Sequence, residues 1–163
     1  MSQWTHIVGA IQCHWDKETA IKRLGKPVLW DDAKRMGIKY DTPEYEDYYE
    51  NTWAKAFQDN RDGCGIPMGS EGSIDWYFTK TDEDYLGKGG MIAIQGDLRD
   101  YGGDKKIQFI VDWFIRATED VRFATLTIRD EYTTEFVQVI VDWGHVIVAR
   151  IPGEPAEEEE SNG

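Results

Sequence analysis

The stretch Met91–Arg129, MIAIQGDLRDYGGDKKIQFIVDWFIRATEDVRFATLTIR, decides the fold, because it contains a strand, a helix and a second strand in succession. Met91–Gln95 is a continuous apolar run, which is typical of a fully buried strand. We expect Asp104 to cap a helix that runs to about Thr118. Apolar residues recur in that helix at the spacing of one buried stripe. The stripe consists of Ile107, Ile110, Val111 and Phe114.

The chain after this helix predicts an antiparallel meander. Val121–Arg129, Glu135–Val141 and Val146–Ile151 are apolar, β-branched segments separated by short polar turns. Such spacing is typical of consecutive hairpins. The link from Met91 to Arg129 would be a right-handed crossover if its two strands are parallel neighbours in the sheet.

The chain before Met91 predicts two more strands and a helical insertion. Trp4–Gln12 and the alternating segment from Ile74 indicate strands. Asp16 can cap a short helix that Gly25 ends, and Thr42 with Pro43 is typical of the start of a second helix running to about Gln58. A further short helical piece is expected between Asp31 and Gly37.

The predicted architecture is therefore a single α+β domain spanning residues 1–151. We expect one mostly antiparallel sheet of five to six strands, with one long helix packed on a face. The helical insertion, at about residues 16–59, follows the first strand. Residues 152–163, PGEPAEEEESNG, are acidic and of low complexity, and we expect them to be disordered.

The charge and cysteine content restrict the partners and the compartment. The net charge is −13, so a nucleic-acid backbone would be repelled and a basic protein surface attracted. No apolar run is long enough to cross a membrane. Two cysteines, Cys13 and Cys64, do not make a disulfide framework, so we expect free thiols and a cytoplasmic location.

The second helix carries the most suggestive binding feature. Its apolar side is aromatic, and its other side is acidic. The carboxylates could bind a basic groove in place of nucleic-acid phosphates, or they could simply form a solvated helix face. The acidic residues are Glu44, Glu46, Asp47 and Glu50.

Two loops form a second candidate site. Asp97, Arg99 and Asp100 follow the predicted central strand, where α/β sheets commonly bind ligands. They could equally pin the turn through hydrogen bonds and ion pairs. Glu71, in the loop PMGSEGS, could form a salt bridge with Arg99 or face a ligand.

The sequence contains no motif that indicates catalysis or a cofactor. It has no G-x-S-x-G, no phosphate-binding loop and no dinucleotide fingerprint. Its histidines and cysteines lack the spacing of a zinc site, and we expect His6 to be a packed or hydrogen-bonded histidine. We therefore predict no metal and no cofactor, and we consider an enzyme less favoured than a binding protein.

Three segments resemble a group of small proteins encoded by phages and prophages. The segments are Trp4-Thr5-His6, Pro67–Ser73 (PMGSEGS) and Gly96–Asp100 (GDLRD). The resemblance covers roughly residues 4–131, and the longer acidic helical insertion and the last two strands depart from it. No established function is associated with that group, so the resemblance implies a phage-type accessory protein without supplying a catalytic residue.

These observations lead to three hypotheses. The first is an accessory protein that binds another protein, for example an acidic inhibitor of a host nucleic-acid-binding or defence protein. The second is a small-molecule binder or hydrolase with a site at Glu71 and Asp97–Asp100. The third is a self-assembling structural module, and its oligomeric state is left open.

Overall fold

The computed structural model describes residues 3–26, 37–53, 65–69, 72–81, 89–101, 103–131 and 134–153. The described residues form a six-stranded sheet in the order β2-β3-β1-β4-β5-β6, together with three α-helices. The elements in chain order are β1 Trp4–Cys13, α1 Lys17–Leu24, α2 Pro43–Tyr48, β2 Ile74–Lys80, β3 Gly90–Arg99, α3 Asp104–Ala117, β4 Phe123–Asp130, β5 Phe136–Asp142 and β6 His145–Ile151.

The predicted α+β class and the helical insertion after the first strand are confirmed. Every pair of neighbouring strands is antiparallel. Because β1 lies between β3 and β4 and is antiparallel to both, these two strands are parallel to each other but are not neighbours. The connection from β3 through α3 to β4 therefore crosses β1, and the local sequence did not predict this.

One face of the sheet, the covered face, carries the core. Along β1, Ile7 and Ile11 point to this face and are fully buried, as are Ile92 and Ile94 on β3. The helix α3 packs on β4 and β5, and its predicted stripe is buried. Trp113 and Ala117 extend that stripe.

Two indole groups fix α1 against this core. Trp113 Nε1 donates a hydrogen bond to the carbonyl of Leu24 at 2.9 Å, and Trp76 Nε1 donates to that of Gly25 at 2.8 Å. These carbonyls lie at the C-terminal end of α1, where backbone acceptors lack helical partners. Asp16 caps the other end by accepting from Thr19 N at 2.8 Å, as predicted.

Several predicted boundaries differ from the structure. The segment Gly96–Arg99 belongs to β3 rather than to a loop, because Leu98 is buried while Asp97 and Arg99 alternate onto the opposite side. Gly103, not Asp104, precedes the first turn of α3. The second helix continues from α2 as a π-helical turn over Tyr49–Trp53.

Other predicted segments cannot be compared. Most of the helical piece at Asp31–Gly37, the end of the second helix at Gln58 and the side chain of Glu71 lie outside the described residues. The same is true of residues 154–163 of the predicted tail. Within the described part of the chain, no helix is long and apolar enough to span a lipid bilayer.

The second face of the sheet, the open face, is exposed to solvent along much of its length. Val8 lies on this face of β1 and is 66% exposed, and the exposed side chains of Tyr77 on β2 and Met91 on β3 lie on the same face, further along the strands. The open face also carries the polar end of β1, where His6 lies opposite Asp97. The first candidate site surrounds His6 at this end of β1.

Candidate functional site

His6 lies between two carboxylates at one end of the open face. Its Nδ1 is 2.6 Å from Asp97 Oδ1, and its Nε2 is 2.8 Å from Glu131 Oε1. β3 supplies Asp97, and Glu131 directly follows β4, so the central strand β1 is bonded to both of its neighbours. We name these three residues the His6 cluster.

The hydrogen bonds determine the charge of the imidazole. Ionised carboxylates only accept hydrogen bonds, so His6 makes both bonds when both ring nitrogens carry protons, which is the imidazolium form. The hydrogen bond to Asp97 and then that to Glu131 raise the pKa of His6 above its ordinary value of 6.5. The bonds from His6 and from the backbone N–H of Trp4 lower the pKa of Glu131 below 4.5.

This arrangement favours a structural role over acid–base catalysis. A general base needs a ring nitrogen with an available lone pair, and here each nitrogen already donates to a carboxylate. Backbone bonds reinforce the same junction: Glu131 N donates to Trp4 O at 3.2 Å, and Asp100 N donates to Gln3 O at 3.0 Å. The predicted hydrogen-bonded role of His6 is thus observed, with partners that its sequence neighbourhood did not reveal.

The structure brings Asp97 and Arg99 onto the open face and places Asp100 at the end of β3. Asp97 is engaged by His6, and Arg99 Nε lies 3.8 Å from Asp100 Oδ2. Asp100 has a positive φ of 54°, and its carbonyl accepts from Lys106 Nζ at 2.6 Å. These contacts match the interpretation in which the cluster pins the turn before α3.

Gly72, which follows Glu71 in the sequence, lies against the same strand. A side chain at Gly72 would place its Cβ 1.9 Å from the carbonyl oxygen of Asp97, so only glycine fits there. Gly69 N donates to Gly72 O at 2.9 Å, which closes a tight turn before β2. The backbone next to Glu71 therefore packs against Asp97, although the Glu71 side chain itself is outside the described residues.

The four acidic residues of the second helix occupy a separate surface. Glu44, Glu46 and Asp47 are exposed on α2, and Glu50 is exposed on the π-helical turn. Tyr48 is buried, so this segment has an inner and an outer side, as predicted. No lysine or arginine of the described residues lies within 4.0 Å of these four carboxylates.

A small pocket lies at the opposite end of β1 from the His6 cluster. Its volume is about 120 Å³, and its lining includes Gln12, His14, Thr81, Met91 and Arg122. Arg122 donates from a terminal nitrogen to His14 Nε2 at 2.9 Å, and its guanidinium stacks 5.5 Å from the ring centroid of Trp143. Among the described residues, no carboxylate lies within 4.0 Å of Arg122.

Sequence reasoning did not identify this pocket. Arg122 and His14 are 108 positions apart, and neither belongs to a motif. Cys13 also lines the pocket, but burial raises the pKa of its thiol, which disfavours the nucleophilic thiolate. Within the described residues, no three histidine, cysteine or acidic side chains are arranged to hold a metal ion.

Comparison with known proteins identifies no family for this chain. No family model and no curated protein matches it. A solved structure of a phage SAM lyase in complex with S-methyl-5'-thioadenosine aligns over 95% of this chain and 93% of its own, with 12% identity and a TM-score of 0.31. A similarity this low supports no argument about function.

Proposed function

We propose that this protein acts by binding another protein that presents a basic surface. The observation that carries the proposal is the set of four exposed carboxylates on one short helical segment, Glu44, Glu46, Asp47 and Glu50, without a basic partner among the described residues. The chain as a whole carries a net charge of −13, which attracts basic surfaces over a distance set by ionic strength.

The segment is built to present these charges from a fixed backbone. Thr42 caps α2 by accepting from Tyr45 N at 3.3 Å, and Pro43 occupies the first turn. Asn51 donates to Asp47 at 2.6 Å, which orients one of the carboxylates. A pre-organised row of charges loses less conformational entropy on binding than a flexible one.

More specifically, we propose that the protein is an accessory protein of the phage type without enzymatic activity. Its acidic helix would occupy the nucleic-acid groove of a host nucleic-acid-binding or defence protein. Carboxylates spaced along a helix can replace phosphates opposite arginine and lysine side chains. The sequence resemblance to small phage proteins and the absence of a catalytic motif support this form.

The test is a comparison of two variants that remove the same number of charges. In the first, Glu44, Glu46 and Glu50 become Gln and Asp47 becomes Asn. In the control, four exposed acids on other elements, Glu18, Asp112, Glu119 and Asp142, are changed in the same way. Each is used to capture bacterial proteins, and the Kd of every captured and identified partner is then measured at two salt concentrations.

We expect the first variant to lose the partner while the control retains it. We also expect the Kd to rise with salt, because ions screen the attraction between opposite charges. Equal capture by both variants, or a Kd that does not depend on salt, would rule out the acidic helix as the binding surface.

The pocket at Arg122 favours a second candidate function, the binding of a small oxyanion. Arg122 is held by His14 and Trp143 rather than by a carboxylate, so its charge can pair with a ligand. The position predicted at Glu71 and Asp97–Asp100 has less support because His6 engages Asp97.

Titration with acetate and with inorganic phosphate, followed by NMR, tests this candidate. The amides of residues 12–14 should shift in the wild type and not in Arg122→Gln. Arg116→Gln, which changes an exposed arginine on α3, is the control. Identical shifts in both variants would exclude the pocket.

A further inference from the structure

The strand β6 forms one edge of the sheet and is apolar on both sides. It pairs with β5 only, so its other backbone edge has no neighbouring strand among the described residues. Ile147 is 59% exposed on the open face, and Val148 is 46% exposed on the covered face. Val146 and Ile151 are exposed as well.

The hairpin geometry shows which backbone groups point outward. A two-residue turn, Trp143-Gly144, joins β5 to β6, and both residues have positive φ, 47° and 79°. In such a hairpin the flanking pair, here Asp142 and His145, exchanges both ladder hydrogen bonds. Alternate residues of β6 therefore bond to β5, and Val146, Val148 and Arg150 direct their N–H and C=O groups away from it.

The valines on the covered face lie beyond the reach of α3. Val148 pairs with Val139, and Val146 pairs with Val141, and both of these β5 residues are fully buried. The helix packs on β4 and β5, whereas Val146 and Val148 remain 40% and 46% exposed. A strip of apolar surface thus continues past the edge of the helix.

The two edges of the sheet differ in their protection. Natural proteins block edge pairing with charged residues, proline or bulges. The edge strand β2 contains Asp75, Thr79 and Lys80. In contrast, β6 has neither lysine nor proline, its one arginine, Arg150, forms ion pairs within its own chain, and its register with β5 is continuous from His145 to Ile151. An unprotected edge of this length indicates a partner strand.

We propose that β6 pairs with β6 of a second copy of this chain, antiparallel and about a two-fold axis at Val148. The two sheets then become one continuous sheet. In this register Val148 lies opposite itself, and Ile147 lies opposite Ala149 of the other copy. Because residues that face each other share a face of the sheet, the apolar side chains of both copies meet.

The charges on β6 are compatible with this pairing. The only charged side chain of its central part is Arg150, which lies opposite Val146 of the other copy. Arg150 is 3.5 Å from Asp104 Oδ1 and 3.5 Å from Glu135 Oε2 of its own chain. Its charge is therefore balanced within each copy, and the two-fold axis brings no two unbalanced like charges together on the strand.

The interface would be small, and the dimer should dissociate on dilution. A single strand pair buries less surface than the roughly 1,600 Å² of a standard interface. Two copies with a net charge of −13 also repel each other at long range. Salt screens this repulsion, so salt should strengthen the dimer, whereas it should weaken the binding of a basic partner.

The experiment measures mass in solution against protein concentration by analytical ultracentrifugation, at low and at high salt. We expect a monomer at low concentration and a dimer as the concentration rises to about 1 mM, the Kd range of weak association. High salt should move this transition to lower concentration. A monomer over the whole range at high salt would overturn the proposal.

The variant Val148→Pro separates edge pairing from folding. The N–H of Val148 points outward, so proline there removes no ladder bond within the chain, while it blocks the strand of a second copy. We expect a monomer with an unchanged circular dichroism spectrum. If that variant does not fold, Val148→Lys keeps the N–H and should also be monomeric.

The control variant is Val8→Ser on the open face, which should dimerise like the wild type. Loss of the dimer in Val8→Ser but not in Val148→Pro would place the contact on the open face and overturn the proposal.

Hydrogen exchange gives an independent readout: the Val146 and Val148 amides should be protected only where the dimer forms. Protection in the dilute monomer would mean that a segment of the same chain covers β6, which also contradicts the proposal.

Discussion

The imidazole of His6 shows how a single residue can join three strands. It contacts Asp97 on one side and Glu131 on the other, and both contacts favour its protonated form. From sequence, His6 was predicted to be a packed or hydrogen-bonded histidine. Its two partners lie 91 and 125 positions away, so only the pairing of β1 with β3 and β4 could reveal them.

We predict that His6→Gln removes a pH-dependent part of the stability. Because folding raises the pKa of His6, its stabilisation is complete below pH 6.5 and is lost as the pH rises through the higher folded value. Folding lowers the pKa of Glu131, so that contribution is complete above pH 4.5 and is lost as the pH falls. The cluster therefore stabilises most between pH 4.5 and 6.5.

Thermal unfolding from pH 4 to pH 9 measures this contribution. The Tm of the wild type should fall from pH 6.5 upward relative to that of His6→Gln, and the two curves should approach each other at high pH. His145→Gln, at an exposed histidine in the β5–β6 hairpin, is the control. Parallel curves for the wild type and His6→Gln would contradict the prediction, because they would show that the cluster makes no pH-dependent contribution to stability.

We predict that Trp113→Phe destabilises the protein by about 1–3 kcal/mol, because the buried carbonyl of Leu24 loses its hydrogen-bond donor. Phenylalanine keeps an aromatic ring in the core but has no N–H. Chemical denaturation with urea measures the change. Trp143→Phe is the control, since Trp143 is 66% exposed and a similar loss there would mean that the effect is not due to the buried bond.

At the scale of the elements, capping residues predicted helix starts well. Asp16 and Thr42 each accept a hydrogen bond from the backbone N–H three residues ahead. The start of α3 was misplaced by one residue, since Gly103 takes the position before the helix. Asp130, which is buried at the end of β4, accepts a hydrogen bond from Gly103 N at 3.3 Å. This bond holds Gly103 in place at the start of α3, but no side chain caps the first turn of the helix.

The extent of β3 was underestimated because its polar residues were interpreted as a loop. Asp97 and Arg99 face solvent on the open face, while Leu98 is completely buried between them. Alternation, rather than average polarity, marks a strand that is buried on one side. The GDLRD motif is therefore the end of a strand followed by a turn, and its strand residues Asp97 and Arg99 lie on the same face as His6.

We predict that Gly9→Ala weakens the packing of the central strand. The added Cβ would lie 2.6 Å from the carbonyl oxygen of Thr125 and 2.7 Å from Leu126 Cδ1, so the backbone of β4 would have to move. Overpacking of this kind costs about 1–3 kcal/mol. Val8→Ala, at an exposed position of the same strand, is the control in urea denaturation, and an equal effect of both changes would contradict the prediction.

At the scale of the whole molecule, the acidic charge affects both stability and association. We predict that NaCl raises the Tm, because repulsion among like charges opposes the compact state and salt screens it. A gain of about 1 kcal/mol corresponds to a rise of about 2–4 °C for a chain of this length. Val148→Pro is the suitable background, because it removes any stabilisation by the β6 pairing.

The control for this prediction is a variant with less repulsion. When Glu44, Glu46, Asp47 and Glu50 are neutralised in the Val148→Pro background, the rise in Tm with NaCl should be smaller than in Val148→Pro alone. If the Tm does not depend on NaCl, or if both forms respond equally, repulsion between these charges does not limit stability.

The sequence by itself determined the class of the fold and most of its elements. The direction of successive side chains is fixed by the local backbone geometry of a strand or a helix. Apolar residues at every second position therefore predicted strands, and apolar residues three and four positions apart predicted the buried stripe of α3. The acidic outer side of α2 was predicted in the same way, because a helical face is a local property.

Only the tertiary structure decided the strand order and the contacts between distant residues. The insertion of β1 between β3 and β4 brings His6 to Asp97 and Glu131 and Arg122 to His14. It also places β6 at one edge of the six-stranded sheet that the described residues form. The physical reason is that strand order depends on the packing of the whole sheet and its helices, whereas periodicity reports only which side of each element is apolar.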